Sequence, residues 1–252
     1  MPRKALTVFL FLAFLYTPIC IFAGDILEQA DTLYDKGGLQ NFKQALELCL
    51  KGLENNPDSY DLNWRCARAY RRYGEEAKRD NLEDWKEICK DYGAKGMVYA
   101  QQAIKLEPNK PEGHYYYSLC VGTYSDGVSI LTALAEGLRG KTQAGFEKAY
   151  EIDRMMADAG PILALGRFWA VLPWPYKNKK KALEYYREYE KTPFFNQSAE
   201  GKVYLAELLI NIGGEKNKAE AKSLLNKAAQ SDETYFAEWA KKILAEINPN
   251  TN

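Results

Sequence analysis

The 252-residue chain has a single histidine, no surplus of charge of either sign and no stretch that reads as a β-strand. Each shortage excludes something. Lys+Arg and Asp+Glu are each 34, so no net field draws nucleic acid or an anionic membrane. With His114 alone, a Cys/His zinc pattern cannot be completed, and the five cysteines include no CxxC pair. His114 has no serine elbow or ligand cluster to work with. It follows Pro111-Glu112-Gly113 and reads as a polar residue in the first turn of a helix. Linkers and low-complexity stretches are also missing, so one domain is expected. The sequence predicts no cofactor, no metal and no enzyme.

The apolar content is concentrated at the start. Arg3 and Lys4 precede the apolar run from Ala5 to Leu15, Pro18 follows, and Ile21-Phe22-Ala23 ends in a small residue. That is the order of a signal peptide covering residues 1–23, with cleavage expected after Ala23 and a periplasmic location for residues 24–252. An uncleaved anchor is the rival reading, because Ala5–Ala23 just reaches the roughly 17–25 residues that span a bilayer. Cys20 follows Pro18-Ile19, where a lipobox has small residues. Without Arg3 and Lys4 the mature chain carries 32 basic and 34 acidic residues. Export would place Cys49, Cys66, Cys89 and Cys120 in an oxidising space where disulfides persist. All four fall in helical apolar patterns and read first as small core residues. Cys49–Cys66 is the best-placed bridge.

The chain is organised like its own stretch from Gly160 to Pro193. Pro161 suits a first helical turn, and Leu165, Phe168, Trp169 and Leu172 recur at helical spacing before Pro173 stops the run. A second helix carries Ala182, Leu183, Tyr186 and Tyr189 until Pro193. Gly166 and Ala182 mark a close crossing of the two. The unit resembles a tetratricopeptide (TPR) repeat. A small residue followed seven positions later by a breaker occurs five times, as Ala30/Gly37, Ala67/Gly74, Cys120/Gly127, Gly166/Pro173 and Ala206/Gly213. Second helices have their own packing positions at Gly52, Ala103, Ala149, Tyr189 and Ala228. From these to the next small residue the spacing is 15, 17, 17 and 17.

The expected fold is therefore all-α: a TPR-like α-solenoid, a right-handed superhelix of about five helical hairpins. Repeats are 37, 53, 46 and 40 residues apart, against about 34 in an uninterrupted array. The excess lies in two inserts. Glu75 to about Gly93 should lengthen a second helix that runs to Leu106. Val128–Gly140 should form an extra helical element covering part of the solenoid. Tyr235, Trp239, Ile243 and Ile247 form the stripe of a C-terminal capping helix.

Beyond the repeat, the stretches Glu112–Gly127 (EGHYYYSLCVGTYSDG), Phe146–Asp153 (FEKAYEID) and Leu165–Trp174 (LGRFWAVLPW) resemble the T-component proteins of TRAP (tripartite ATP-independent periplasmic) transporters. Regulators of microtubule dynamics share similar patterns. The resemblance spans roughly Asp31–Leu244, inserts included. It implies an exported scaffold that holds a ligand or assists a periplasmic solute-binding protein. The leader fits the transporter branch better than the intracellular one.

In TPR proteins the first helices line the concave face. Carried onto this chain, that places Trp64, Arg68, Arg71, Tyr117, Tyr124 and Arg167 on the groove. Arginines among aromatics suit carboxylates, through bidentate hydrogen bonds and stacking, so small organic acids join a protein partner as candidate ligands. The opposing reading is that these arginines pair with acidic neighbours or lie under the inserts. A general envelope scaffold gripping peptide segments in the groove is the alternative function. Glu75-Glu76 and Glu83-Asp84 read as surface charges, Lys177–Lys181 as a solvated turn, and Tyr115–Tyr117, Trp169, Trp174 and Tyr176 as mostly core. Whether the chain self-associates is not legible.

Overall fold

A computed structural model describes residues 23–247, so the expected signal peptide, Ala23 apart, lies outside the described residues. Twelve helices and no strand occur among those described. They are α1 (Ala23–Lys36), α2 (Leu39–Asn55), α3 (Tyr60–Arg79), α4 (Trp85–Leu106), α5 (Pro111–Gly127) and α6 (Ile130–Ala135). Then follow α7 (Leu138–Asp153), α8 (Met156–Val171), α9 (Lys179–Glu190), α10 (Ala199–Ile212), α11 (Glu215–Ala228) and α12 (Thr234–Ile247). Five hairpins result, α1/α2, α3/α4, α5/α7, α8/α9 and α10/α11, with α12 behind the last and α6 inserted in the third. This is a TPR-like α-solenoid.

Local chemistry sets the helix starts. Ser59, Asn178 and Ser198 accept from the backbone N–H groups of Leu62, Lys181 and Gly201 at 3.3, 3.0 and 2.9 Å. Each satisfies a donor that has no partner inside the helix. Ala157, Asp158 and Ala159 stand in the left-handed region (φ 47°, 58° and 60°), and the regular part of α8 begins only after them, at Gly160-Pro161. Proline therefore occupies a first turn, as expected from its missing N–H. Lys202 closes the turn before α10 by donating to the Phe195, Asn196 and Ser198 carbonyls at 3.0, 2.8 and 3.0 Å.

The repeat positions are the core. Ala67, Cys120, Ala206, Ala103, Ala149 and Ala228 are fully buried, and Ala30 and Tyr189 are nearly so. Gly166 packs under the ring of Tyr186 rather than against Ala182. Of the expected breakers, Gly127 is the last residue of α5, but Gly74 behaves otherwise. A Cβ at Gly74 would lie 2.7 Å from Thr123 Cγ2, and one at Gly127 would lie 2.8 Å from Lys90 Cβ. Both glycines are crossing points. Gly74 does not end its helix, and α3 continues five residues to Arg79. The first insert thus lengthens both arms of its hairpin, to 20 residues in α3 and 22 in α4.

Other expectations shift by a residue or a face. On α12 the buried stripe is Phe236, Ala237, Ala240 and Ile243, which leaves Tyr235 exposed and Trp239 half-buried against the core. Trp174 is 90% exposed and Tyr176 is also exposed, so this turn is not core, whereas Tyr115, Tyr116 and Trp169 are. Lysines 179–181 belong to the first turn of α9, not to the turn before it. All four cysteines are buried thiols. Cys49 and Cys66 are free thiols in one core cluster between α2 and α3, not a bridge. Burial pushes the Cys120 thiol up to about 12, which makes it a poor nucleophile. No described helix is long and apolar enough to cross a membrane.

The crossings give a paired prediction. Gly93→Ala would put a Cβ 2.7 Å from the Tyr124 Cα, backbone that cannot rotate away, and should cost about 1–3 kcal/mol. Gly122→Ala, in mid-helix with nothing within 4 Å, should instead stabilise by up to about 1 kcal/mol. Urea midpoints of the two variants should move in opposite directions. Equal shifts would mean the crossings are looser than described.

Candidate functional site

The inner faces of the first helices surround a cavity of about 770 Å³. Its walls come from α3, α5, α8 and α10, with α6 and α7 covering one side and Tyr235 and Trp239 of α12 another. Leu119, Leu134, Leu138, Phe146, Leu163 and Phe168 make one side apolar. Arg71, Glu75, Arg79, Arg167, Glu200 and Tyr204 gather at the other.

Helical spacing builds the polar side. Arg71, Glu75 and Arg79 follow at i, i+4 and i+8 on α3, so all three project the same way. Glu75 receives Arg71 at 2.7 Å, Arg72 at 2.6 Å and Arg79 at 2.9 Å. Burial alone would raise its carboxyl, but the three guanidinium groups outweigh it and hold the group down at about 2. Arg79 also stacks over Tyr235 and Phe236, 4.6 and 5.2 Å from the ring centroids. That contact joins the second repeat to the C-terminal helix and closes the cavity on that side. Arg167 pairs with Glu207 at 2.7 Å and lies 4.2 Å over Tyr204 and 5.4 Å from Trp239. Glu200 stands apart. Burial raises its carboxyl above the ordinary value, and the neighbouring Glu75 adds to that. The hydroxyl of Ser118, on the cavity wall, is fully buried without a hydrogen-bond partner.

Of the residues expected on the groove, Arg71 and Arg167 line this cavity together. Trp64 and Arg68 form a separate cluster. Trp64 stacks on Tyr116 at 5.6 Å, and Arg68 lies 3.9 Å over Tyr34 and pairs with Asp31. Asp31 also takes Arg65, at 2.8 Å. Tyr117 packs half-buried against the core, and Tyr124 donates to Glu136 at 3.2 Å, tying α5 to the insert. Neither lines the cavity. All three expected arginines therefore have acidic partners, the opposing reading of the sequence.

Sequence reasoning missed Glu75, Arg79, Ser118, Glu200 and Tyr204. Glu75 and Glu76 are only about 20% exposed rather than surface charges. The missed signal was the four-residue rhythm Arg71–Glu75–Arg79, which puts alternating charges on one inward face. His114 Nε2 lies 2.9 Å from the Pro108 carbonyl. No group of metal-ligating side chains occurs among the described residues.

Glu75→Gln leaves three guanidinium groups around a neutral amide. We expect a loss of about 3–5 kcal/mol at pH 7, read from urea denaturation. The sign with pH follows from the depressed carboxyl. Its contribution is complete above 4.5, the unperturbed value, and fades as pH falls toward 2, about 3 kcal/mol in all. Glu75→Gln should remove that part of the acid sensitivity. A variant as acid-sensitive as the wild type would show that Glu75 is not the hub.

Known proteins resemble this chain in fold and, over part of it, in sequence. A thermophilic TPR protein of Thermus thermophilus matches with a TM-score of 0.63 at 16% identity, over 88% of this chain and 99% of that one. A human IFIT1 dimer with m7Gppp-AAAA matches with a TM-score of 0.58 at 16% identity, over 91% of this chain and 44% of that one. At such identities these likenesses establish the fold alone. No curated protein matches significantly. The family described as regulator of microtubule dynamics protein 1-3 matches residues 26–170, more than half of the 252. The chain belongs to the regulator of microtubule dynamics protein 1-3 family.

Proposed function

We propose that the protein is an exported, non-catalytic solenoid that holds a small ligand inside its concave face and works beside a TRAP-type solute-binding protein. The observation behind the ligand-holding part is the cavity itself. Its volume is within the roughly 300–1,000 Å³ of ligand sites, and it joins apolar walls to a few convergent polar groups. An array that only gripped peptides would need its groove open along its length. Here Arg79 on Tyr235 and the short helix α6 narrow that groove to a chamber.

The transporter partnership and the periplasmic location rest on sequence. The T-component resemblance over Glu112–Trp174 supports the first, and the order of basic, apolar and small residues in 1–23 supports the second. The general scaffold remains the second reading, and one feature favours it. Leu131, Val171 and Trp174 are exposed where α6 and the end of α8 meet the cavity rim. A protein partner would cover such a rim.

Protein isolated from its native envelope should have lost its first 23 residues by intact mass. A full-length mass in the membrane fraction would make that segment an anchor. Native mass spectrometry of the same sample should reveal a bound small molecule. Ala164→Trp, which places an indole in the chamber, should come out empty with its helical spectrum unchanged. A wild type that never retains or takes up a small molecule would leave only the scaffold reading. Cross-linking in the envelope should recover a solute-binding protein. Its absence, alongside unrelated partners, would count against the transporter.

A further inference from the structure

The even overall charge conceals one lopsided edge. No aspartate or glutamate occurs from residue 159 to residue 183, a stretch that carries Arg167, Lys177, Lys179, Lys180 and Lys181. Residues 137–146, which follow the short helix α6, also lack an acid and carry Arg139 and Lys141. The fold brings the two stretches together. Arg139 lies 4.6 Å over the ring of Tyr176, and Leu134, Val171 and Pro173 share the cavity rim. The tip between α3 and α4 differs: residues 78–90 hold four basic and four acidic side chains, which cancel.

The apolar residues of this edge are not covered by the chain itself. Trp174 is 90% exposed and Leu131 74%, and Val171 and Tyr176 are exposed as well. The turn that presents the indole is ordered. The backbone N–H groups of Tyr176 and Lys177 donate to the Pro173 carbonyl at 2.9 and 3.2 Å, and that of Asn178 donates to the Trp169 carbonyl at 3.1 Å. Lys181 turns back over Trp169, 4.5 Å from the ring centroid, and Lys179 donates to the Asn211 carbonyl. Lys177, Lys180 and Arg139 form no ion pair among the described residues. Of the flanking carboxylates, Glu136 is taken by the Tyr124 hydroxyl, and Glu184 lies a turn further along α9.

We propose that this edge rests on an anionic lipid bilayer, with Trp174 in the headgroup layer and Arg139, Lys177 and Lys180 against the lipid phosphates. The contact is independent of whether the cavity holds a ligand. Tryptophan and tyrosine favour the boundary between water and acyl chains, because the ring is apolar while its N–H or O–H stays hydrated. Lysine stems add apolar length there and leave the ammonium in water. Protein interfaces are instead depleted in lysine, and an indole this exposed offers a peptide no walls to lie between. Local charge and exposed aromatics act together at a bilayer surface, so each should be needed.

The test uses residues 24–252, which keep every described helix apart from Ala23 and leave out the apolar leader. Cosedimentation compares vesicles of phosphatidylcholine with vesicles of equal parts phosphatidylcholine and phosphatidylglycerol. The protein should prefer the anionic vesicles at least tenfold, and the preference should fall as salt is raised. Lys177→Gln with Lys180→Gln should weaken binding about twentyfold, since one lysine at an anionic surface is worth about fivefold. Trp174→Ala should weaken it tenfold or more. Lys216→Gln with Lys218→Gln, the same charge change at the next hairpin tip, should change it less than twofold. Bromine-labelled acyl chains should quench indole fluorescence in the bound wild type. Most of that quenching should be lost in Trp174→Phe, which still binds. All these side chains are exposed, so helix content should stay unchanged.

Vesicle binding that is absent, or equal for neutral and anionic lipid, would overturn the proposal. Binding that survives Trp174→Ala would reduce it to a diffuse charge effect and overturn it too. An equal loss in the Lys216/Lys218 variant would do the same. If poly-L-glutamate binds the wild type and anionic vesicles do not, the edge belongs to an acidic protein partner, in line with the scaffold reading.

Discussion

Every hairpin depends on two helix backbones approaching more closely than ordinary side chains permit. Leu, Phe or Lys at a crossing would hold the axes apart, and the layer behind would then have nothing to pack on. Alanine, glycine and cysteine at the crossings remove that spacer. At Gly93 the approach is to the backbone of Tyr124 itself, and at Gly166 it is to the ring of Tyr186. Once the axes are close, the large side chains interdigitate beside the crossing rather than at it. Leu165, Leu205, Leu209, Leu225 and Tyr186 are almost fully buried for that reason. The solenoid follows from repeating one local solution, since each hairpin offers the next an uncovered apolar face.

Close stacking has an electrical consequence on the inner side. The first helices of successive hairpins converge there, so charged residues at groove positions meet those of other repeats instead of water. An isolated arginine in that position would be destabilising. Arginines are tolerated because carboxylates arrive with them, from one turn along the same helix in Glu75 and from the following repeat in Glu207. Arg79 has a second role. Its guanidinium keeps Glu75 ionised and its face packs on Tyr235, so one side chain links the charge balance to the closure of the cavity.

The layout of the fold was readable because it is local. Small residues at fixed spacing and prolines at helix ends are properties of short segments. The array, both inserts and the cap were found from them. Gly74 misled for the same reason. A glycine seven residues after a small residue looks like a stop, and only the neighbouring hairpin shows that it makes room for Thr123. The site was less legible because it is assembled across repeats. Position rules put Arg71 and Arg167 on the groove, and both line the cavity, but which carboxylate each meets is set by the superhelix. Glu75 looked like a surface residue among charged neighbours, and Glu200 had no local signal to set it apart. Trp174 was read as core by the same repeat logic as the neighbouring aromatics. Its exposure follows from a turn that Pro173 and Pro175 hold away from both helices.

The two inserts convert a generic groove into a particular chamber. Without the extra turns of α3, Arg79 would not exist at a height where it can reach α12. Without α6 and the start of α7, the apolar wall formed by Leu119 and Leu163 would face solvent. Exposed apolar surface of that extent on an ordinary TPR groove would invite peptides of many kinds. Covering part of it leaves less of that surface for such peptides. Lengthening one hairpin and roofing another therefore act together, the first completing the polar end and the second enclosing the apolar one. The repeats supply the frame, and the departures from the repeat decide what the frame can hold.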